Sequence, residues 1–172
     1  AGSNNITLDT AANNFGTVAI ISANNSTLVD SSVLDLGASS VTGDLTVTVT
    51  TGNLSDSGNV VVGGDGSFTT SASNAIIDLG SLNVTGSIGL TTNGASGNAT
   101  IVNAQEIDFS ASTIGGDLNA TSSGELTDSG TLAVTGAASL NATGNNITLD
   151  DASNNFGTVS IVSSNNATLV DT

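Results

Sequence analysis

Eight amino-acid types are missing from this 172-residue chain: Lys, Arg, His, Cys, Pro, Met, Trp and Tyr. Each absence excludes something. Without Cys there are no disulfides, so the fold must be held by packing and hydrogen bonds alone. Without Lys and Arg the 15 acidic side chains stand unopposed at a formal net charge of −15. That balance argues against nucleic acid or an anionic membrane surface as a partner. Without His, Cys, Lys, Arg or Tyr the chain lacks the usual general bases, activated nucleophiles and oxyanion clamps. Ser and Thr are plentiful but have no partner of the triad kind. No apolar run approaches the roughly 18–20 residues that a membrane-spanning helix needs, so membrane insertion is not expected.

What remains is Ala, Ser, Thr, Gly, Asn, Asp, Val, Leu and Ile in near-monotony. High net charge and few aromatics favour disorder. Against that, 37% of the residues are hydrophobic, and Val, Ile and Leu alternate with Thr, Ser and Asn, which is the pattern of half-buried strands. Gly, Asn, Ser and Asp supply turns between them.

The chain also repeats itself. Asn4–Asp30 reads NNITLDTAANNFGTVAIISANNSTLVD and Asn145–Asp171 reads NNITLDDASNNFGTVSIVSSNNATLVD, matching at 21 of 27 positions. A shorter opening, N/G-x-T-L and then Asp, begins at Asn5, Asn25, Gly52, Asn74, Asn98, Gly124, Asn146 and Asn166. An intermediate period pairs NSTLVDSSVLDLGASSVTGDL from Asn25 with NATIVNAQEIDFSASTIGGDL from Asn98. Glycine corners recur as Val41-Thr42-Gly43-Asp44-Leu45, Val84-Thr85-Gly86-Ser87-Ile88 and Ile114-Gly115-Gly116-Asp117-Leu118, where glycine suits a bend or a close backbone approach.

Registered repeats of 20–27 residues, each with about three apolar-alternating segments, predict an all-β fold. The expected form is a single-stranded parallel β-helix, or β-solenoid, of about seven coils running through residues 1–172, roughly 35 Å long. An antiparallel sandwich is the alternative, but it does not explain registered coil starts. The chain opens and closes within its motif, so it reads as an excerpt of a longer array.

The segments NNITLDDASNNFGTVSI and GTLAVTGAASLNATGNNITLD resemble the repeats of filamentous-haemagglutinin-type exoproteins, the large adhesins that Gram-negative bacteria export by two-partner secretion. The resemblance covers essentially the whole chain, and its motifs are of low complexity. It implies a right-handed β-helix and an extracellular or bacterial cell-surface location. Sugars on N-x-S/T asparagines are implied by it too, and Asn5, Asn25, Asn53, Asn83, Asn98, Asn119, Asn141, Asn146 and Asn166 fit that pattern.

Candidate chemistry lies in the repeated polar positions. Asp9, Asp30, Asp56, Asp78, Asp128, Asp150 and Asp171 each follow the first strand of their coil, with Asn103 in that place in the fifth. Stacked coils would set these carboxylates in a column about 5 Å apart. A hard cation such as Ca²⁺ could then bridge them; alternatively each caps its own turn by accepting backbone N–H groups, and this is the preferred reading. Asn5, Asn25, Asn74, Asn98, Asn146 and Asn166 predict a structural asparagine ladder along one corner. Val62-Gly63-Gly64-Asp65-Gly66-Ser67-Phe68 is similar to the nonapeptide of calcium-binding β-rolls, but it occurs once, and that motif works in tandem. Thr46-Val47-Thr48-Val49-Thr50 hints at an ice-binding face, which needs the motif in every coil. Carboxylate pairs such as Asp35 with Asp44, or Asp150 with Asp151, are the only handle for a polysaccharide-cleaving enzyme.

These features together predict no catalytic residues and no required cofactor. The expected role is a structural shaft of a surface or secreted adhesin or fibre, its partners being neighbouring repeats of the same protein. A filament of identical chains stacked end to end is the alternative, and a β-helical polysaccharide-cleaving enzyme is a remote third.

Overall fold

The computed structural model describes residues 2–172. Its described residues form twenty strands in one continuous sheet, with no helix. Every strand pairing between successive turns is parallel, as in a β-solenoid.

The rod has two sides. On the first, Ile6, Ser26, Leu45, Gly66, Ile88 and Phe109 are successive register partners, at steps of 19 to 22 residues. Asp128 follows Phe109, and Thr127, Thr148 and Thr168 carry the ladder on. On the second side the succession is Thr17, Asp35, Ser55, Asp78, Thr100, Asn119, Ser139 and Ser160. The chain therefore makes about eight turns of some 20 residues, and at about 4.8 Å per turn they span roughly 38 Å.

Eight turns correct the seven coils expected from the recurring opening. Successive openings do not all fall on one side. Those at Asn5 and Asn25 start first-side strands (Ile6–Leu8, Ser26–Asp30). Those at Gly52, Asn74 and Asn98 start second-side strands (Leu54–Asp56, Ile77–Val84, Ala99–Asn103). The last three, at Gly124, Asn146 and Asn166, return to the first side (Leu126–Asp128, Ile147–Leu149, Ala167–Leu169). The two long intervals in the sequence, from Asn25 to Gly52 and from Asn98 to Gly124, are each one and a half turns.

The strand pattern crosses over with them. In early turns the first side is one five-residue strand, such as Leu45–Val49, and the second is a bent pair, such as Leu54–Asp56 with Val60–Val62. From Ala99 onward the long strands Ala99–Asn103 and Leu118–Ser122 stand on the second side. The bent pairs Ile107–Phe109 with Ser112–Ile114, and Leu126–Asp128 with Leu132–Val134, now stand on the first. The 73-residue offset from Asn25 to Asn98 is thus three and a half turns, and it carries equivalent residues to opposite sides of the rod.

Alternation dictates the interior. Ser26–Asp30 and Leu45–Val49 bury every second residue. Leu28, Val47, Phe68 and Leu90 stack on one another, as do Leu34, Leu54 and Ile77, and all are almost wholly excluded from solvent. Volume is balanced across the stack. Gly66 leaves room for the Phe68 ring, which a Cβ at 66 would meet at 2.9 Å. Burying a Leu or Phe side chain in such a column stabilises by about 1.5–3 kcal/mol, and the column runs unbroken from turn to turn.

Candidate functional site

The polar chemistry of the rod sits at its corners, and the backbone sets its geometry. The residue just before a long strand lies at a corner with its side chain pointing along the rod axis. Asn5 Oδ1 accepts the Asn25 N–H at 3.2 Å and the Asn24 Nδ2 at 2.9 Å. Asn25 Oδ1 accepts the Asp44 N–H at 3.0 Å, and Asp44 Oδ1 accepts the Asp65 N–H at 3.0 Å. Asp65 Oδ1 closes the series by accepting the Ser87 N–H at 2.8 Å. Each side chain thus serves a backbone donor one turn further on. The opposite side repeats the device: Asn98 Oδ1 accepts from Asp117 N–H at 2.9 Å and Asp117 Oδ1 from Ala137 N–H at 2.8 Å.

The glycine corners follow from this ladder. A Cβ on Gly43 would overlap Asn25 Oδ1, one on Gly64 would overlap Asp44 Oδ1, and one on Gly136 would overlap Asp117 Oδ1. None of the three has a positive φ. Close approach, rather than left-handed backbone, fixes glycine there.

The expected asparagine ladder is therefore real only in parts, and it has members that the spacing argument passed over. Asn5 and Asn25 continue into Asp44 and Asp65, and Asn98 into Asp117. Asn146 and Asn166 belong to a third run, in which Asn146 Oδ1 accepts from Asn165 Nδ2 and Asn166 Nδ2 while Asn146 Nδ2 donates to Glu125 Oε1. Asn74 departs from the pattern: it sits in the left-handed region at φ 64° and its Oδ1 accepts the Ser96 N–H. The signal for Asp44, Asp65 and Asp117 was the invariable glycine before them.

The seven strand-following aspartates do not form one column. Asp56 and Asp78 lie in second-side strands, the other five in or after first-side strands. In the register Asp30 faces Val49, Asp56 faces Leu36, Asp128 faces Phe109 and Asp78 lies between Ser55 and Thr100. Four of them accept backbone N–H groups. Asp30, fully buried, takes those of Phe15 at 2.5 Å and Ser32 at 2.7 Å. Asp171 takes that of Phe156, the equivalent residue of the other copy. Asp56 takes those of Gly80 and Ser81, and Asp128 those of Asp150 and Asp151. Asn103 and Asn154, also fully buried, do the same work with uncharged side chains: Asn103 Oδ1 accepts the Val84 N–H and Asn154 Oδ1 the Leu132 N–H. Asp9, Asp78 and Asp150 are exposed.

The Asp56 carboxyl is displaced from its ordinary value. Partial burial pushes its pKa up, the Gly80 and Ser81 N–H groups pull it down, and the nearby charges of Asp78 and Asp35 push it up further, leaving it above the ordinary aspartate value. Among the described residues no three acidic side chains converge closely enough to hold a metal ion. Within Val62–Phe68, Asp65 is a ladder member; of the paired carboxylates, Asp35 stands in the strand Leu34–Leu36 and its Oδ2 accepts the Ser57 hydroxyl, while Asp151 Oδ1 accepts the Ser153 N–H two residues on.

The register also shows how far the threonine pattern extends. Thr48, Thr69, Thr91 and Thr113 occupy one outward column in successive turns. The column beside it runs Thr7, Thr27, Thr46, Ser67 and then Gly89. Both columns carry hydroxyls side by side in the turns of Thr46 and Ser67, and the second column loses its hydroxyl at Gly89. The surface grooves are shallow. The one lined by Thr85, Ala104, Gln105, Glu106, Ser123 and Gly124 has a volume of about 350 Å³ and a single carboxylate.

Two stretches, residues 23–91 and 96–163, match a family described as repeats of unknown function (DUF5649). Their starts lie three and a half turns apart, the structural period that carries equivalent residues to opposite sides. No curated protein and no solved structure matches the chain.

Proposed function

From the premise that the chain belongs to the DUF5649 family of repeats of unknown function, we propose that it is a structural shaft, giving reach and rigidity to a large surface or secreted bacterial adhesin or fibre. The observation that carries this reading is the continuous apolar core together with the successive runs of corner bonds. Each turn is tied to the next by parallel strand pairing, apolar stacking and axial side-chain bonds, and the polar groups are spent on holding the rod together. The resemblance to filamentous-haemagglutinin-type repeats supports an extracellular location and two-partner export. The unopposed negative charge suits a surface that must stay soluble and apart from its neighbours. On this reading the protein is not an enzyme, and its immediate partners are neighbouring repeats.

The test is surface labelling of intact cells of the source organism with an antibody against the rod. Labelling before permeabilisation is expected; an epitope reached only after permeabilisation would overturn the extracellular reading. A second reading is a filament of identical chains stacked end to end, since the end strands of a parallel β-solenoid offer backbone edges on which another copy can pair. Negative-stain microscopy of the purified chain separates the two, since filaments longer than a single rod are expected only from stacking.

A further inference from the structure

The corner at Asn93-Gly94 combines two requirements of the fold into a chemically labile pair. Gly94 adopts φ +81°, and a Cβ there would meet Asn74 Oδ1 and Ser73 Oγ at 2.6 Å. Only glycine fits. Asn93 ends the strand Ile88–Asn93, and its Nδ2 donates to the Thr70 and Ser71 carbonyls at 3.3 Å each, bonds near the long end of the range. The residue is exposed, and the register is irregular between Thr91 and Asn93. The Gly94 carbonyl accepts the Gly97 N–H, but among the described residues the Gly94 N–H donates to no backbone carbonyl.

We infer that Asn93 is a self-modification site, converting by deamidation to aspartate and isoaspartate in the folded rod. The Gly94 nitrogen, deprotonated by hydroxide, attacks Asn93 Cγ. The bond from Cγ to the amide nitrogen breaks and ammonia leaves, closing a five-membered imide. Water then opens the imide at either carbonyl. The sum is one amide and one water giving one carboxylic acid and one ammonia, with no oxidant or reductant.

The chain has 21 asparagines, and Asn93 alone is followed by glycine. At the others a side chain on the next residue crowds the attacking nitrogen. Asn103 and Asn154 are in addition buried and held by bonds at both ends of the amide. Conversion removes the donor to Thr70 and Ser71 and sets a carboxylate against two carbonyl oxygens. The isoaspartyl product also adds a carbon to the backbone, in a corner where a Cβ on Gly115 would already meet Gly94 O at 2.6 Å.

The test is incubation of the purified folded chain in mildly alkaline buffer at physiological temperature, with samples taken over weeks. An Asp-specific endoprotease releases the unaltered and isoaspartyl forms as the fragment from Asp78 to Ile107 and cuts the aspartyl form once more, before position 93; the chain has no Lys or Arg for trypsin. The expected result is a gain of one mass unit located at Asn93, labelling by isoaspartyl methyltransferase, and a rate at least an order of magnitude above that of any other asparagine. Asn93→Gln removes all three signals. Should that variant fail to fold, fragment mapping of the unaltered chain decides alone. No conversion at Asn93, or conversion spread evenly over the other asparagines, overturns the inference.

Discussion

At the scale of the residue, one rule explains the glycine corners: a corner oxygen serves the next turn, and the glycine above it yields the space. The rule is testable by coupling. Gly43→Ala places a methyl on Asn25 Oδ1, and Asn25→Ala removes that oxygen while leaving the Asp44 N–H without its partner. Each single change is expected to cost about 1–3 kcal/mol. The double change should cost less than their sum by about 1 kcal/mol, read as midpoint shifts in urea; strict additivity would mean that glycine is there for another reason. Asp30 is the sharper case. It is fully buried and takes two backbone N–H groups, so Asp30→Ala should lower stability by about 2–4 kcal/mol, with the melting temperature as readout. The same loss at exposed Asp9 should be within about 0.5 kcal/mol. Sequence spacing found the acceptor residue types but assigned some to the wrong stacks. Asp30 and Asp56 look alike as letters after a strand, yet they stand on opposite sides of the rod, and nothing local to either residue reveals the side.

At the scale of the element, the period-two alternation of segments such as Leu45–Val49 was fully legible, because a strand with one buried face must alternate. The turn count was not. The opening motif marks a place in the sequence repeat, and that repeat closes after three and a half turns, so every long interval conceals a half turn. Leu54–Asp56 with Val60–Val62 can overlie either a long strand or another bent pair, so strand lengths alone leave the phase open. Asp56 holds such a bend, tying Gly80 and Ser81 between the two halves of Ile77–Val84. Its pKa is raised in the folded state, chiefly by burial and then by Asp78 and Asp35 against the two N–H bonds. The folded state therefore binds this proton more tightly than the unfolded chain, and the contribution is fully present below the ordinary aspartate value and lost as pH rises through the raised one. Unfolding free energy should accordingly fall as pH rises above the ordinary aspartate value of about 4, and Asp56→Asn should flatten that slope. An unchanged slope in chemical denaturation across this window would assign the effect to other carboxylates.

At the scale of the whole molecule, 15 acidic side chains and no cationic side chain make every charge–charge term between side chains repulsive. Raising the salt from about 0.01 M to 0.5 M shortens the Debye length from about 30 Å to a few ångströms. Relief of about 2 kcal/mol should raise the melting temperature by about 4–8 °C, and a fall would contradict the charge argument. Ca²⁺ at matched ionic strength separates screening from binding: a melting shift beyond that of the monovalent salt, together with heat in a calorimetric titration, would identify a cation site. The deepest consequence of the architecture concerns length. Asn4–Asp30 and Asn145–Asp171 carry nearly the same sequence and the same bond, from Phe15 N–H to Asp30 and from Phe156 N–H to Asp171. The segment that overlies the first copy begins at Ser31, so a chain in which residues 31–101 follow Asp171 directly should add three and a half turns in register. The rod should lengthen by about 17 Å in small-angle scattering. The urea m-value should rise in proportion to the added surface, within a single transition. Omitting residues 31–40 from the insert removes half a turn and sets first-side strands over the second side. That shortened insert should remain protease-sensitive, although it has nearly the same composition. If both inserts fold equally well, the two sides are interchangeable and the half-turn phase carries no structural information.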